Sequence, residues 1–338
     1  MTGLNRKQDE KERRNPVEGL QTLLAADMDA VNAMIIARMD SPVPMIPQLA
    51  GYLIAAGGKR IRPLMTLAAS KLFGADMTRA HRLAAAVEFI HTATLLHDDV
   101  VDASDERRGK KSANAVFGNE ASVLVGDFLF SRAFQLMVED GNLDVLKTLS
   151  DASAIIAQGE VLQLSTQGDL ATDMDAYLDV IKGKTAALFA AACEVGPLVA
   201  GSDENAVRIM AEYGMNLGIA FQIADDLLDY NADRAKLGKA VGDDFREGKM
   251  TAPIIIALQK ANDEERAFWQ RTLAERDQND SDLIRAQSIL ARHGALEAGL
   301  DLARHYCRLA REALAEAPDS PLRALLDSLA VYTVERSF

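Results

Sequence analysis

The chain has 338 residues, 49% of them hydrophobic and 26% charged, an ordinary balance for a globular protein with ample material for a core. Its 37 Lys and Arg against 50 Asp and Glu leave a net charge of −13, which argues against general nucleic-acid binding, since that requires a basic face. Two cysteines, Cys193 and Cys307, cannot build a disulfide framework and suit a reducing cytoplasm.

Residues 1–16 (MTGLNRKQDEKERRNP) are charged and contain no apolar run. They read as a flexible, solvated tail, neither a signal peptide nor a membrane anchor. No later stretch reaches the ~18 uninterrupted apolar residues of a membrane span, so at most peripheral membrane contact is expected. Prolines are absent between Pro63 and Pro197 and between Pro253 and Pro318. Those intervals are rich in good helix formers, and alternating β-branched runs are nearly absent. The expectation is an all-α fold.

The pattern predicts a first helix over 18–39, with Leu20, Leu23, Leu24 and Val31 as its apolar stripe, and a break at Ser41–Pro47. Further helices are expected over 62–73, 78–102, 119–139, 142–167, 174–181, 185–201, 204–230, 251–260, 262–274, 280–315 (broken near Gly294) and 320–335. Gly74, Gly118, Gly141, Gly168 and Gly201 act as stop signals between them. No linker tract or fixed repeat appears, so residues 17–338 are expected to form one domain.

The stretches 83–101 and 217–230 are apolar on all faces, the mark of central helices. Both end in acids: Asp98, Asp99 and Asp102 in DDVVD, and Asp225, Asp226 and Asp229 in DDLLD. Residues i and i+4 stand one turn apart. Three such carboxylates repel and lose hydration unless a cation compensates. A few hard oxygen ligands suit Mg²⁺, which completes its shell with water and substrate phosphates. One such cluster is as easily a solvated helix end, but two, each ending an apolar helix, point to a polyphosphate bridged by divalent ions.

Cationic elements accompany them. Gly57-Gly58-Lys59-Arg60-Ile61-Arg62-Pro63 precedes a helix, with Lys59 and Arg62 available to one anion. Its glycines permit close backbone approach, although the spacing is not that of a P-loop. Arg107 and Arg108 form a second pair suited to phosphate. Lys184, Lys239 and Lys249 recur beside Thr185, Asp243-Asp244 and Thr251; each alone reads as a surface lysine. His91 and His97 are six residues apart, off one helical face, and a lone helical histidine is more often a packed core residue than a ligand.

GGKRIRP, EFIHTATLLHDDVVDASDERRG, GEVLQL, KT, FQIADDLLDY and GKAVGDDFREGKMT follow one another in that order. Together they resemble the trans-isoprenyl (polyprenyl) diphosphate synthases over about residues 18–336, and most of all the bacterial long-chain octaprenyl to decaprenyl branch. The resemblance implies a helical isoprenoid-synthase bundle around a deep central cavity, homodimeric and cytoplasmic. It implies condensation of isopentenyl diphosphate with an allylic diphosphate, farnesyl or geranylgeranyl, to an all-trans product of C40–C50 for quinone side chains. Asp98 and Asp102 would bind Mg²⁺, with Asp99 in support. Asp225 would lead at the second motif, with Asp226 and Asp229 near it, for about three ions per site. Lys59, Arg62, His91 and Arg108 would hold isopentenyl diphosphate. Arg107, Lys184, Lys249 and Lys239 would hold the allylic diphosphate, and Thr185 and Gln222 would line the reaction centre.

The chemistry agrees. An allylic carbon–oxygen bond ionises, cations stabilise the leaving diphosphate, and no protein nucleophile is needed. Ala93 and Thr94, five and four residues before Asp98, are small, which predicts an open tunnel and long products. Met137 and Leu149 are the candidate floor residues, although Met137 serves equally well as core filler. Rival functions are a non-catalytic subunit of a heteromeric synthase, a shorter-chain synthase, an HD-type phosphohydrolase (from His97-Asp98), and a cyclase or head-to-head condensing enzyme. Intact aspartates disfavour the first of these. GGKRIRP and RRG favour elongation over cyclisation, because a second diphosphate needs its own cationic site.

Overall fold

The computed structural model describes residues 15–56, 58–107, 109–231 and 241–335. Among them the chain is helical almost throughout, as its composition demands. The one sheet among the described residues is a two-stranded antiparallel ribbon, β1 (Glu106–Arg107) with β2 (Lys110–Lys111). The helices, in chain order, are α1 (Pro16–Leu23), α2 (Ala25–Arg38), α3 (Met45–Ala56), α4 (Ile61–Leu72), α5 (Met77–Val101), α6 (Ala113–Phe117), α7 (Asn119–Asp140), α8 (Leu143–Thr166), α9 (Met174–Ile181), α10 (Ala187–Ala200), α11 (Glu204–Asp229), α12 (Asp243–Arg246), α13 (Ala252–Lys260), α14 (Asp263–Trp269), α15 (Asp282–Arg292), α16 (Ala295–Leu314) and α17 (Pro321–Glu335). Two π-helical turns, Lys182–Ala186 and Gln270–Ala274, follow α9 and α14. The chain divides into two compact units. One takes residues up to Ser153 with Ala191–Ala211 and Ala317–Leu326; the other takes Ala154–Ala190, Glu212–Glu316 and the chain from Asp327.

In the first unit α5 packs against α7, α4 and α2, which is why its sequence is apolar on every side: Leu83, Ala86, Val87, Ile90 and Leu96 are all fully buried. The Asp76 carboxylate caps its start by accepting from the Thr78 N–H at 2.9 Å. Four elements differ from the sequence expectation. The helix expected over 18–39 is two, α1 and α2, bent by 79° across a break at Leu24. Helix α3 lies where prolines suggested only a break; Pro47 falls in its first turn, where a missing N–H costs nothing. The short α6 and α12 carry no periodicity to read.

In the second unit α13 packs against α16 and α15. Phe245, Phe268 and Trp269 form an aromatic cluster, with Phe268 and Trp269 edge to face at 5.0 Å. The break expected near Gly294 is present: the residue adopts φ 62 between α15 and α16.

By length and composition alone, Asn119–Asp140 and Met174–Ala200 are each long and apolar enough to cross a membrane. A reading that sought uninterrupted apolar runs passed over both. The second has 78% of its apolar window buried inside the fold, against 44% for the first.

Candidate functional site

In the first unit, the last turn of α5 carries Asp98, Asp99 and Asp102. Asp99 is buried, while Asp98 and Asp102 are half-buried. The Arg107 guanidinium donates to Asp99 Oδ1 at 2.7 Å from β1, and Asn114 donates from α6 to the Asp99 carbonyl at 3.0 Å. Burial pushes the Asp99 carboxyl up from its ordinary range, and Arg107 opposes that rise. Asp99 therefore holds the loop that follows the motif. Arg107, expected on a diphosphate, is in this structure engaged by Asp99. Arg108 lies outside the described residues.

The glycine–lysine–arginine segment divides its labour. Lys59 is exposed ahead of α4. Arg62 Nη1 lies 3.1 Å from His91 Nε2 on α5, so two residues expected in the isopentenyl site are brought together. Arg60 is engaged one turn earlier on the same helix. It adopts a left-handed φ of 50 as the N-cap of α4, and its guanidinium pairs with the buried Glu88 of α5. Ala93 is fully buried, and the half-buried Thr94 donates to the His91 carbonyl at 2.8 Å. Met137 on α7 and Leu149 on α8 are buried.

In the second unit, α8 crosses the first π turn at two glycines. A Cβ on Gly159 would come within 2.4 Å of the Lys184 backbone nitrogen, and one on Gly183 within 2.9 Å of the Gly159 Cα. Only glycine permits that approach. It sets Glu160 against Lys184, Oε2 to Nζ 2.6 Å. The π turn inserts a residue into the helix and displays Lys184 and Thr185, a common use of such turns.

From Thr185 a chain of hydrogen bonds runs inward. Thr185 Oγ1 donates to Gln222 Oε1 at 2.8 Å. Gln222 Nε2 donates to Asp226 Oδ1 at 2.7 Å, one turn along α11. The Tyr177 hydroxyl of α9 donates to Asp226 Oδ2 at 2.6 Å. Burial pushes the Asp226 carboxyl up to about 7, against the lowering effect of Tyr177 and Gln222. Burial and the neighbouring Asp226 carry the Tyr177 hydroxyl well above its usual value.

Asp225, by contrast, is exposed. Asp229 is taken up by backbone: Oδ1 accepts from the Gly242 and Asp243 N–H groups at 2.9 and 3.2 Å, and Oδ2 from the Asp244 N–H at 3.0 Å. It thereby fixes the start of α12. Lys249 pairs with Glu247 and lies 3.9 Å from Asp244. A cleft of about 80 Å³ is lined by Lys184, Thr185, Gln222, Asp226, Asp244 and Lys249 among others. Five of the expected site residues thus share one cleft. Lys239 lies outside the described residues.

Glu88, Glu160, Tyr177 and Asp244 are the site neighbours that the sequence reading missed. A lone acid inside the apolar run of α5 was a signal for Glu88. The Gly-Glu pair opening GEVLQL was one for Glu160.

Among the described residues no group of three or more His, Cys, Asp or Glu is gathered into a cage for a metal. Exposed or half-buried Asp98, Asp102 and Asp225 instead offer a few hard oxygens each. That donor set fits Mg²⁺, which binds through one or two carboxylates and takes the rest of its shell from water and phosphate.

Residues 43–290 match the polyprenyl synthetase family. The chain is 45% identical to the octaprenyl diphosphate synthase of Escherichia coli over 320 residues, covering 95% of this chain and 99% of that one. It superposes on a decaprenyl diphosphate synthase from Rhodobacter capsulatus with TM-score 0.92 at 54% identity, covering 95% and 99% of the two chains. A polyprenyl synthase from Caulobacter crescentus, complexed with calcium and isoprenyl diphosphate, gives 0.91 at 52%, covering 95% and 98%.

Proposed function

The chain belongs to the polyprenyl synthetase family, and from that premise we propose that it is a long-chain synthase extending an allylic diphosphate, farnesyl or geranylgeranyl, with isopentenyl diphosphate to an all-trans C40–C50 product for quinone side chains. It is a chain-elongating trans-prenyltransferase of the all-α isoprenoid-synthase fold. The observation that carries the assignment is the cleft shared by Lys184, Thr185, Gln222, Asp226 and Lys249. It sets cations for a diphosphate beside a hydroxyl and an amide for the reacting carbon.

In this reading Lys59, Arg62, His91 and Arg108 grip isopentenyl diphosphate, while Arg107, Lys184, Lys239 and Lys249 grip the allylic diphosphate. Holding both substrates at once supplies the entropic part of the rate. As the allylic carbon–oxygen bond ionises, charge grows on the leaving diphosphate, where the lysines stabilise it. The isopentenyl double bond attacks the cation, and the released diphosphate takes the proton. Asp98 and Asp102 at the first motif and Asp225 at the second would hold Mg²⁺, with Asp99, Asp226 and Asp229 behind them; about three ions, once bound, would supply further neutralisation of the leaving group.

We read residues 17–338 as one working synthase domain and place it in the cytoplasm, with at most peripheral membrane contact for product release. The exposed apolar residues of α7, Leu124 at 67% and Val138 at 64% among them, support a homodimer, because stripes of that kind mark association surfaces.

The test is incubation of purified protein with Mg²⁺, labelled isopentenyl diphosphate and farnesyl diphosphate, with chromatographic sizing of the products. C40–C50 products are expected from the wild type and shorter ones from Ala93→Phe. No elongation by the chain alone favours the partner-subunit reading, and unchanged product length in Ala93→Phe removes the tunnel assignment.

A further inference from the structure

The hydrogen bonds behind Thr185 have a direction, and the direction is set at their far end. There the Asp226 carboxyl accepts twice. Both Asp226 oxygens are engaged, Oδ1 by the Gln222 amide N–H at 2.7 Å and Oδ2 by the Tyr177 hydroxyl at 2.6 Å. With its NH₂ end held by Asp226, Gln222 has only its carbonyl to offer Thr185, and the Thr185 hydroxyl donates to it at 2.8 Å. The hydroxyl hydrogen is thereby turned toward Gln222, which leaves the oxygen lone pairs for the cleft that Thr185 lines. Were the amide to flip, its NH₂ would donate to Thr185, and the hydroxyl hydrogen would be free to turn into the cleft. The same atom would then present a positive end instead of a negative one.

We propose that Tyr177 is a positioning residue which, through Asp226 and Gln222, fixes the polarity of the Thr185 hydroxyl so that a lone pair faces the carbocation formed on ionisation. The inference rests on the prenyltransfer reading, since only a reaction through a cation draws on that polarity. Tyr177 is buried at 3% exposure on α9 and stands in the wall of the same cleft, with its hydroxyl spent on Asp226. Its hydroxyl holds Oδ2 and keeps the Asp226 carboxylate in the rotation that presents Oδ1 to Gln222. A fixed dipole of this kind favours the charged transition state over the neutral ground state without reorganising during the reaction.

The experiment compares two allylic diphosphate analogues on the Mg²⁺-loaded enzyme. One carries an ammonium in place of the carbon that becomes cationic; the other is its neutral carbon isostere. Tyr177→Phe is expected to weaken binding of the ammonium analogue about tenfold, the effect of losing one hydrogen bond, and that of the neutral analogue by less than about twofold on the same scale. kcat should fall in step with the ammonium analogue, with KM for both substrates little changed. Tyr177→Phe should add nothing further in a Thr185→Val background, because the two act through one chain. If Tyr177→Phe does not fold, as judged by its melting transition, Asp226→Asn carries the same expectation, because an Asn amide can donate to Gln222 and release the flip.

Equal weakening of both analogues, or full additivity with Thr185→Val, overturns the inference and leaves Tyr177 a packing residue. A wild type that elongates, with the ratio of the two affinities unmoved in the variants, overturns it as well while the prenyltransfer reading stands. A wild type that neither elongates nor binds either analogue overturns that reading and the inference with it.

Discussion

Glu88 and Glu265 are buried carboxylates that do their work by holding a neighbour in place. Glu88 anchors Arg60 at the strained start of α4, between Lys59 and Arg62, the two cations proposed for isopentenyl diphosphate. Glu265 closes the capping box of α14, accepting from the Asn262 N–H at 3.1 Å while its own N–H donates to the Asn262 side chain at 2.9 Å. It also takes hydrogen bonds from Arg292 at 2.7 Å and His293 at 2.9 Å. The His293 hydrogen bond holds the Glu265 carboxyl below the ordinary glutamate value of 4.5. A carboxyl with a depressed folded-state pKa binds fewer protons folded than unfolded, so its stabilisation is complete above about pH 4.5 and is lost as pH falls through the folded value. Melting temperature followed from pH 6 to pH 3 should fall more steeply for wild type than for Glu265→Gln; parallel curves would contradict this. Residue type alone pointed to most of the charged residues of the candidate site. Lys59, Arg62, Asp98, Asp225 and Lys184 stand in motifs whose chemistry is visible in the letters. The division of labour within a motif was hidden, because Arg60 and Arg62 differ only in the side chain each meets, and Asp225 and Asp226 only in their burial.

Helices are assembled here by how closely they can approach. Gly159 is the contact at which α8 meets the π turn, and its neighbour Glu160 reaches Lys184 only because that contact is tight. Gly159→Ala would drive a methyl group to 2.4 Å from the Lys184 nitrogen, backbone that cannot swing aside. We expect a loss of about 1–3 kcal/mol in stability from overpacking, read by denaturant titration. The variant should also show a raised KM for the allylic substrate, since Lys184 moves with the backbone. A KM equal to that of wild type would show that the crossing does not position Lys184. Long periodic helices such as α5, α7 and α16 were legible because each buries a stripe or a whole circumference. The bend at Leu24 was not, because leucine is a good helix former and neither Gly nor Pro marks the site. Nor was α3, whose opening proline looked like a terminator. The π turns leave no trace in periodicity, since one shifted hydrogen bond changes no residue type.

At the scale of the whole molecule, the net charge of −13 describes the surface, whereas the chemistry is carried by local sets of opposite sign. Six of the acids were read as metal-binding from sequence, yet three of them, Asp99, Asp226 and Asp229, spend their oxygens on Arg107, on Gln222 with Tyr177, and on backbone N–H groups. Val123, Leu124, Phe134 and Val138 are exposed along α7, more apolar surface on one helix than a lone soluble chain usually leaves open. In the dimer reading, Leu124→Asp with Val138→Asp should halve the mass measured by light scattering at micromolar protein; an unchanged mass would place the interface elsewhere. The π turn at Lys182–Ala186 has a consequence of another kind. It stores one residue beyond the α-helical repeat, so side chains downstream along α10 are rotated by about 100° from where an uninterrupted helix would carry them. Chain length and helix phase are therefore exchangeable at this point. Loss of a single residue there could leave the helix continuous and yet turn every later side chain of α10 to a different face, so the spacing between Lys184 and the residues that follow is as much a part of the site as their identities.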